Sequence, residues 1–409
     1  MIDGMLSDNS IRMGTALWVL WLGLCVFANG TVAPGVGGSL IWLLLLIGVW
    51  AMTRLLQPEN SRIRIQAFGV LLGFAVAMTA VLPLQLLISP NGNARLAGDV
   101  GKILILIVGT VAVRSMMRAH ALTVVRTVPV LITGLIVHAY LSGSWDYYDP
   151  LRLRFGAPSL GSPNTLGYLL AFSLLMIRFC YRRSTNRAGR GALAVMELVQ
   201  LAALAGTQSR GGIILYIMGL LVFVKTNRTR LGIVGAILLA EMALGAVRLS
   251  HHVDIERFDL VRDLVQTGGT GRFAIWGILL GKMLNAPLSI LIGFGPGSIG
   301  FWRQGDFVND AHSLLVESFY YYGILGLAVL GSCFWWLLKK QSFRAAESWD
   351  RLRVSFVCMF MLGATYDNYP FAARALWFTC LVLSVIAFEG KESGESGKPP
   401  LSTVAYEHR

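Results

Sequence analysis

His312, Arg210 and Arg272 are the residues whose type and setting could do chemistry. His312 lies in NDAHSLLVESFYYYGILG, where a polar loop meets an apolar span. Asp310 can cap the helix that begins there by accepting a backbone N–H, which would put His312 in the first turn. A helix N-terminus carries partial positive charge and disfavours imidazolium, so a neutral ring able to accept a proton is expected. The plainer alternative is an interfacial histidine with no chemistry. Arg210 sits in GTQSRGG, a reverse turn of a few residues between two apolar spans. Its fork of donors suits a phosphate held bidentately; the alternative is snorkelling to lipid headgroups. Arg272, in TGRFAIW, opens a loop helix as a second phosphate clamp, or as the partner of Asp259 or Asp263. In RLRFGAPSLGSPNTLG, Arg154 is a candidate anion contact and Asn164 can cap a helix or bind a sugar hydroxyl. The Gly, Ser and Pro of that stretch read as turn chemistry. Arg303 and Asp310, in FWRQGDFVNDAH, complete the candidate donor or acceptor contacts.

Other chemistries find less support. His251, His252, Asp254 and Glu256 form no complete ligand set with clear spacing, so no metal is expected. GFGPGSIG is glycine-rich but lacks a strand–helix unit around it, which argues against a dinucleotide cofactor. Neither Gly-x-Ser-x-Gly nor Asp-x-Asp occurs in the sequence. The five cysteines fall in or at the ends of apolar spans and read as small core residues.

These residues must be positioned by a membrane bundle. The chain has 409 residues, of which 55% are hydrophobic and 14% charged, against about 25% charged in soluble domains. The net charge of +13 is explained by arginines and lysines in short loops, not by a nucleic-acid partner. Apolar runs predict twelve transmembrane helices near 13–30, 37–53, 66–88, 100–116, 121–141, 164–181, 191–206, 211–225, 230–248, 313–338, 353–368 and 371–388. Glu197 is costly in lipid and should face the bundle. With the N-terminus inside, the inner loops hold Arg54, Arg62, Arg64, Arg114, Arg118, Arg182, Arg183, Arg187, Arg190, Lys225, Arg228, Arg230, Lys339, Lys340, Arg344, Arg351 and Arg353. The outer loops hold few basic residues, as the positive-inside rule requires. The fold class is then an all-α polytopic membrane protein in four parts: helices 1–9 over 1–248, an outer loop over 249–312, helices 10–12 over 313–388, and a polar tail over 389–409 read as disordered. Within the loop, Phe273, Trp276 and Leu280 recur at helical spacing and suit a helix lying on the membrane surface.

Several outward arginines, one poised histidine and no metal set suggest a reaction. A pyrophosphate leaving group needs its developing charge stabilised, which arginines can do. A hydroxyl nucleophile needs a base. A membrane cleft suits a donor with a long lipid tail, so the expected class is glycosyl transfer from a lipid pyrophosphate. The order RFGAPSLGSPNTLG, TQSRGG, TGRFAIW, GFGPGS, then NDAHSLLVESFYYYGILG resembles the O-antigen ligase and O-antigen polymerase superfamily of bacterial envelope glycosyltransferases. In the last piece His312-Ser313 is followed by nine residues, Gly323, two residues and Gly326, similar to the ligase signature. The resemblance implies twelve helices, a large periplasmic loop between the ninth and tenth, the inner membrane, and metal-independent transfer from an undecaprenyl-pyrophosphate-linked glycan. It implies pyrophosphate contacts for Arg210 and Arg272 and the catalytic base for His312. As a ligase the chain would use lipid A–core as acceptor; as a polymerase, another lipid-linked repeat unit. The single dominant loop and the His312–Gly326 spacing favour the ligase.

A transporter or flippase of lipid-linked sugars is the alternative from another class, with Glu197 and the arginines lining a path. It would need those residues at the midplane, whereas the sequence gathers them on one face. A metal-dependent oligosaccharyltransferase, suggested by SWDYYDP, would need acidic ligands and a large soluble domain. Glycan transfer by the purified protein is expected to survive EDTA. Loss of activity restored by a divalent ion would reinstate His251 and His252 as ligands.

Overall fold

The computed structural model describes residues 96–141, 163–224, 226–233, 272–295, 298–303, 306–308, 311–339, 348–366 and 376–387. Among these the chain is almost entirely helical: α1 (Leu96–Leu141), α2 (Pro163–Arg183), α3 (Arg187–Thr207), α4 (Arg210–Phe223), α5 (Arg272–Leu284), α6 (Pro287–Ile292), α7 (Leu314–Lys339), α8 (Ser348–Tyr366) and α9 (Leu376–Ala387). Ala121–Leu141, Pro163–Arg183, Arg187–Thr207 and Leu314–Ser332 are long and apolar enough to cross a membrane. The expected spans at 13–30, 37–53, 66–88 and 230–248, apart from residues 230–233, and the tail at 389–409 lie outside the described residues.

Two expectations change. The spans at 100–116 and 121–141 are one continuous helix of 46 residues. No Gly or Pro falls between Gly109 and Pro129, so nothing in Arg114–His120 breaks the ladder. At 1.5 Å per residue α1 is about 69 Å long, more than twice a hydrocarbon core of about 30 Å. The fold is also not purely helical. Phe301–Arg303 (β1) and Asp306–Val308 (β2) pair antiparallel in the loop, with Arg303 opposite Asp306 and only Gln304 and Gly305 between the strands.

Helix directions follow from the packing. A Cβ added at Gly212 would lie 2.6 Å from the Gly167 carbonyl carbon, so α2 and α4 touch backbone to backbone near their N-termini. At their other ends the Arg182 guanidinium lies 4.5 Å from the Phe223 ring centroid, so the two helices run parallel. Helix α8 runs against them: Phe356 meets Phe172 at 5.0 Å and Trp349 meets Phe179 at 4.6 Å. Phe334 of α7 packs on Phe360 of α8, and Leu314 joins the same core. The N-termini of α2 and α4 share one end of the bundle.

Several polar groups inside this bundle are paired across helices. Glu197 is buried and forms an ion pair with Arg178, and the Tyr216 hydroxyl donates to Glu197 Oε1 at 3.4 Å. Glu197 faces the bundle, as its cost in lipid demands. Pro129 inside α1 has no N–H for the Val125 carbonyl, and the Cys180 thiol of α2 sits 3.8 Å from that oxygen. Gln200 of α3 donates to the Pro129 carbonyl at 3.0 Å and to Thr133 Oγ1 at 2.9 Å. At the other half of α1, Ser384 of α9 donates to the Thr110 carbonyl at 3.0 Å.

The loop segment docks on α7 through a second core. Ile275, Leu279 and Met283 form the buried face of α5 and pack with Ile299, Ala311, Tyr320 and Tyr321. Helix α7 is broken at Gly323, whose φ of 62° and ψ of −152° are non-helical. A break leaves the last carbonyls of the first half-helix needing donors. Phe294 N–H donates to Tyr320 O at 2.9 Å and Gly295 N–H to Tyr321 O at 3.0 Å. Gly293, with φ of 74°, sits against the Tyr321–Tyr322 backbone, and Gly323 sits against the Leu291–Ile292 backbone. Each glycine faces the other segment's main chain, so neither tolerates a Cβ. Gly323→Ala is expected to destabilise the fold by on the order of 1–3 kcal/mol from the backbone conformation alone, with the clash added. Gly277, whose Cβ position is open, is the control: thermal unfolding in detergent should fall for Gly323→Ala and hold for Gly277→Ala. Equal melting temperatures would contradict the interlock.

Candidate functional site

The start of α7 is built differently from its sequence-based reading. The cap is Ser313, not Asp310: Val316 N–H donates to Ser313 Oγ at 3.3 Å and Glu317 N–H to the Ser313 carbonyl at 2.9 Å. Ser313 is buried and one residue from the helix, so its short hydroxyl reaches the third helical N–H, the usual capping geometry. Asp310 and Arg154 lie outside the described residues, as do His251 and His252. His312 is therefore not in the first turn. It precedes the cap with φ of 51°, a left-handed backbone. Its neighbours Ala311 and Ser313 are buried, while His312 is exposed. Backbone strain of this kind in a non-glycine residue is held only when the surroundings determine it.

Those surroundings are identifiable. Glu317 reaches back along α7 and its Oε1 accepts from Ala311 N–H at 3.1 Å. The Trp276 indole Nε1–H donates to the Ala311 carbonyl at 2.8 Å. Both polar groups of the Ala311 backbone are thus held, one from α7 and one from α5. Trp276 lies one turn beyond Arg272, roughly 5–6 Å between Cβ atoms on a helix. The indole bond consequently brings the head of α5, with Arg272, to the residue before His312. Trp276 therefore does not share the open apolar face expected of it with Phe273 and Leu280. Those two are exposed, and Trp276 turns towards the α7 start.

Arg210 approaches from the membrane helices. Two residues, Gln208 and Ser209, separate α3 from α4. Gln208 takes the left-handed C-cap conformation (φ 50°), and buried Ser209 caps α4 by accepting from Gly212 N–H at 3.2 Å. Thr207 Oγ1 accepts from Ser209 N–H at 3.2 Å. Arg210 is the first residue of α4, half-buried, with its Nη1 shielded from solvent. Gly167 of α2 packs on Ser209 and Gly212, so GSPNTLG and TQSRGG form one contact. Pro163 opens α2 and Asn164 sits half-buried in its first turn. Arg303 belongs to β1.

The heads of α2 and α4, carrying Asn164 and Arg210, lie at one end of the bundle, and the indole bond of Trp276 sets the Arg272 helix beside the residue before His312. Each helix N-terminus contributes about half a positive charge, so this end favours an anion before any side chain is counted. Among the described residues, the two non-glycine residues with left-handed backbone are His312 itself and Gln208, two residues before Arg210. Sequence reading assigned no positioning role to Ser313, Glu317, Trp276 or Gln208. The Ser313 and Glu317 spacing was a usable signal for the cap, whereas the Trp276 bond spans 35 residues and leaves no local trace.

Trp276→Phe keeps the ring's packing and removes the donor. It should slow turnover several-fold or more with the fold intact, while Phe273→Leu, on the exposed face, should not. Turnover and thermal unfolding of both variants check this, and an unaffected Trp276→Phe would remove the indole from the account.

Searching curated proteins finds no match to the chain. Residues 195–331 match the family model described as O-Antigen ligase. That family consists of glycosyltransferase-like enzymes acting on lipid-linked glycans. The matched region contains Arg210, Arg272, the GFGPGS loop and His312, and leaves Asn164 outside. The match over residues 195–331 supports the O-antigen ligase superfamily for that part of the chain.

Proposed function

We propose that the protein is an O-antigen ligase, transferring a glycan from undecaprenyl pyrophosphate to lipid A–core on the periplasmic side of the inner membrane. The observation that carries this reading is His312: an exposed side chain on a left-handed backbone between two buried residues, beside the head of the Arg272 helix. In the proposed step an acceptor hydroxyl attacks the anomeric carbon of the donor sugar, and His312 takes its proton. The bond to the pyrophosphate oxygen breaks, and the developing charge is met by Arg210 and Arg272 with the helix N-termini behind them. A single displacement with one base inverts the anomeric centre. Asn164, Arg154, Arg303 and Asp310 are proposed as further donor or acceptor contacts. No cofactor enters the scheme.

The second reading keeps this chemistry and changes the acceptor. A polymerase would join the glycan to another lipid-linked repeat unit, using the same arginines. Incubation with lipid-linked repeat units alone, then with lipid A–core added, separates the two. Product only in the second case supports the ligase; chain growth in the first overturns it. A protein that moves lipid-linked glycan across vesicles without forming any product would point instead to a flippase.

Arg210→Ala and Arg272→Ala should each cost a few kcal/mol in kcat/KM, the scale of a charge-assisted contact removed from a desolvated phosphate. Lysine at either position should rescue poorly, because a point charge lacks the planar fork. Full rescue by lysine would reduce the role to simple charge attraction.

A further inference from the structure

The end of the bundle opposite Arg210 carries a second basic cluster, and it is organised by aromatic rings. The Arg183 guanidinium lies 5.2 Å from the Phe179 ring centroid and 5.8 Å from that of Trp349. The Arg182 guanidinium lies 4.5 Å from that of Phe223. The rings belong to α2, α4 and α8, which pack together, so the cations converge where three helices meet. Arg182 lies within electrostatic reach of Arg351 and Arg178, a like-charge grouping. Arg351 Nε and Arg353 Nη2 are buried with no hydrogen-bond partner among the described residues. Arg353, only 8% exposed, uses Nε to cap the Ile386 carbonyl and Nη1 to hold Asp350. The nearby carboxylates are already engaged, Glu197 by Arg178 and Asp350 by Arg353.

Arginines that merely mark a cytoplasmic face stand apart in loops and point to water. Here Arg182 and Arg183 lie over buried rings, Arg182 sits beside Arg351, and Arg351 keeps a buried Nε with no hydrogen-bond partner among the described residues. Like charges held this way require a counter-ion, and a guanidinium fork matches phosphate oxygens. Basic pockets between transmembrane helices suit lipid headgroups. The exposed Tyr181, Val195 and Leu198 on neighbouring turns of α2 and α3 offer apolar surface for acyl chains.

We propose that Arg182, Arg183 and Arg351 form a binding site for the phosphate of an anionic phospholipid, at the end of the bundle away from Arg210. The lipid neutralises the cluster and ties the α2 end to the α8 start. Native mass spectrometry of the full chain in detergent tests this by titration with dioleoylphosphatidylglycerol or dioleoylphosphatidylcholine. The anionic lipid should be retained and the zwitterionic one lost. Arg182→Gln and Arg351→Gln should each weaken retention roughly fivefold or more. Arg187→Gln, an exposed cation on the adjacent α3 head, should not. Melting temperatures identify any variant that fails to fold, and Arg182→Lys, which keeps the charge but not the planar fork, should recover only part of the binding. Equal retention of both lipids, or an equal loss in Arg187→Gln, would overturn the site in favour of a diffuse basic face. Displacement by excess inorganic phosphate would show that free phosphate, not lipid, is the ligand.

Discussion

The site depends on one backbone contact, the meeting of Gly293 and Gly323. In a membrane bundle every main-chain polar group needs an internal partner, and a broken helix exposes several. Here the break in α7 is completed by another segment: the GFG loop donates two N–H groups to the carbonyls of Tyr320 and Tyr321. The approach is close enough that each glycine rests on the other strand's main chain. Gly326 extends the same logic, because the break folds the Ser318 carbonyl onto it. The spacing from Ser313 to Gly323 is therefore the length of a half-helix, from cap to break. That the broken helix holds the loop, and the loop holds Arg272, links the glycine spacing to the chemistry.

His312 is fixed from the opposite direction. Ser313 ends the helix, Glu317 and Trp276 take the two polar groups of Ala311, and the chain between them is left one conformation. In the proposed reaction, a residue held this way would lose little entropy on meeting substrate. On the membrane side, Gly167 and Gly212 allow α2 and α4 to touch and fix the turn that carries Arg210. Two close backbone contacts, one in the loop and one in the bundle, thus fix the elements that carry Arg272 and Arg210.

Much of this was legible in the residues. Arg210 in a short reverse turn, Arg272 at a helix head and Glu197 facing inward all followed from spacing and the cost of charge in lipid. The cap did not, because Asp310 and Ser313 are both good caps and only the backbone at His312 decides between them. The continuous α1 was hidden by its basic residues: Arg114 and Arg118 looked like a loop, yet no helix breaker accompanies them. The hairpin at 301–308 is too short for a strand pattern to stand out, although Gln304-Gly305 between Arg303 and Asp306 was a turn signal. Long-range bonds such as Trp276 to Ala311 have no sequence signature at all.

The central claim is that His312 moves a proton and does not hold the donor. Measuring donor affinity and transfer rate on the same His312→Ala protein separates these roles. The account predicts an unchanged Kd for the lipid-pyrophosphate donor and a transfer rate lower by about 10²–10⁴, the usual contribution of a general base. A variant that loses donor binding in proportion to its rate, or that transfers glycan at the native rate, would contradict it.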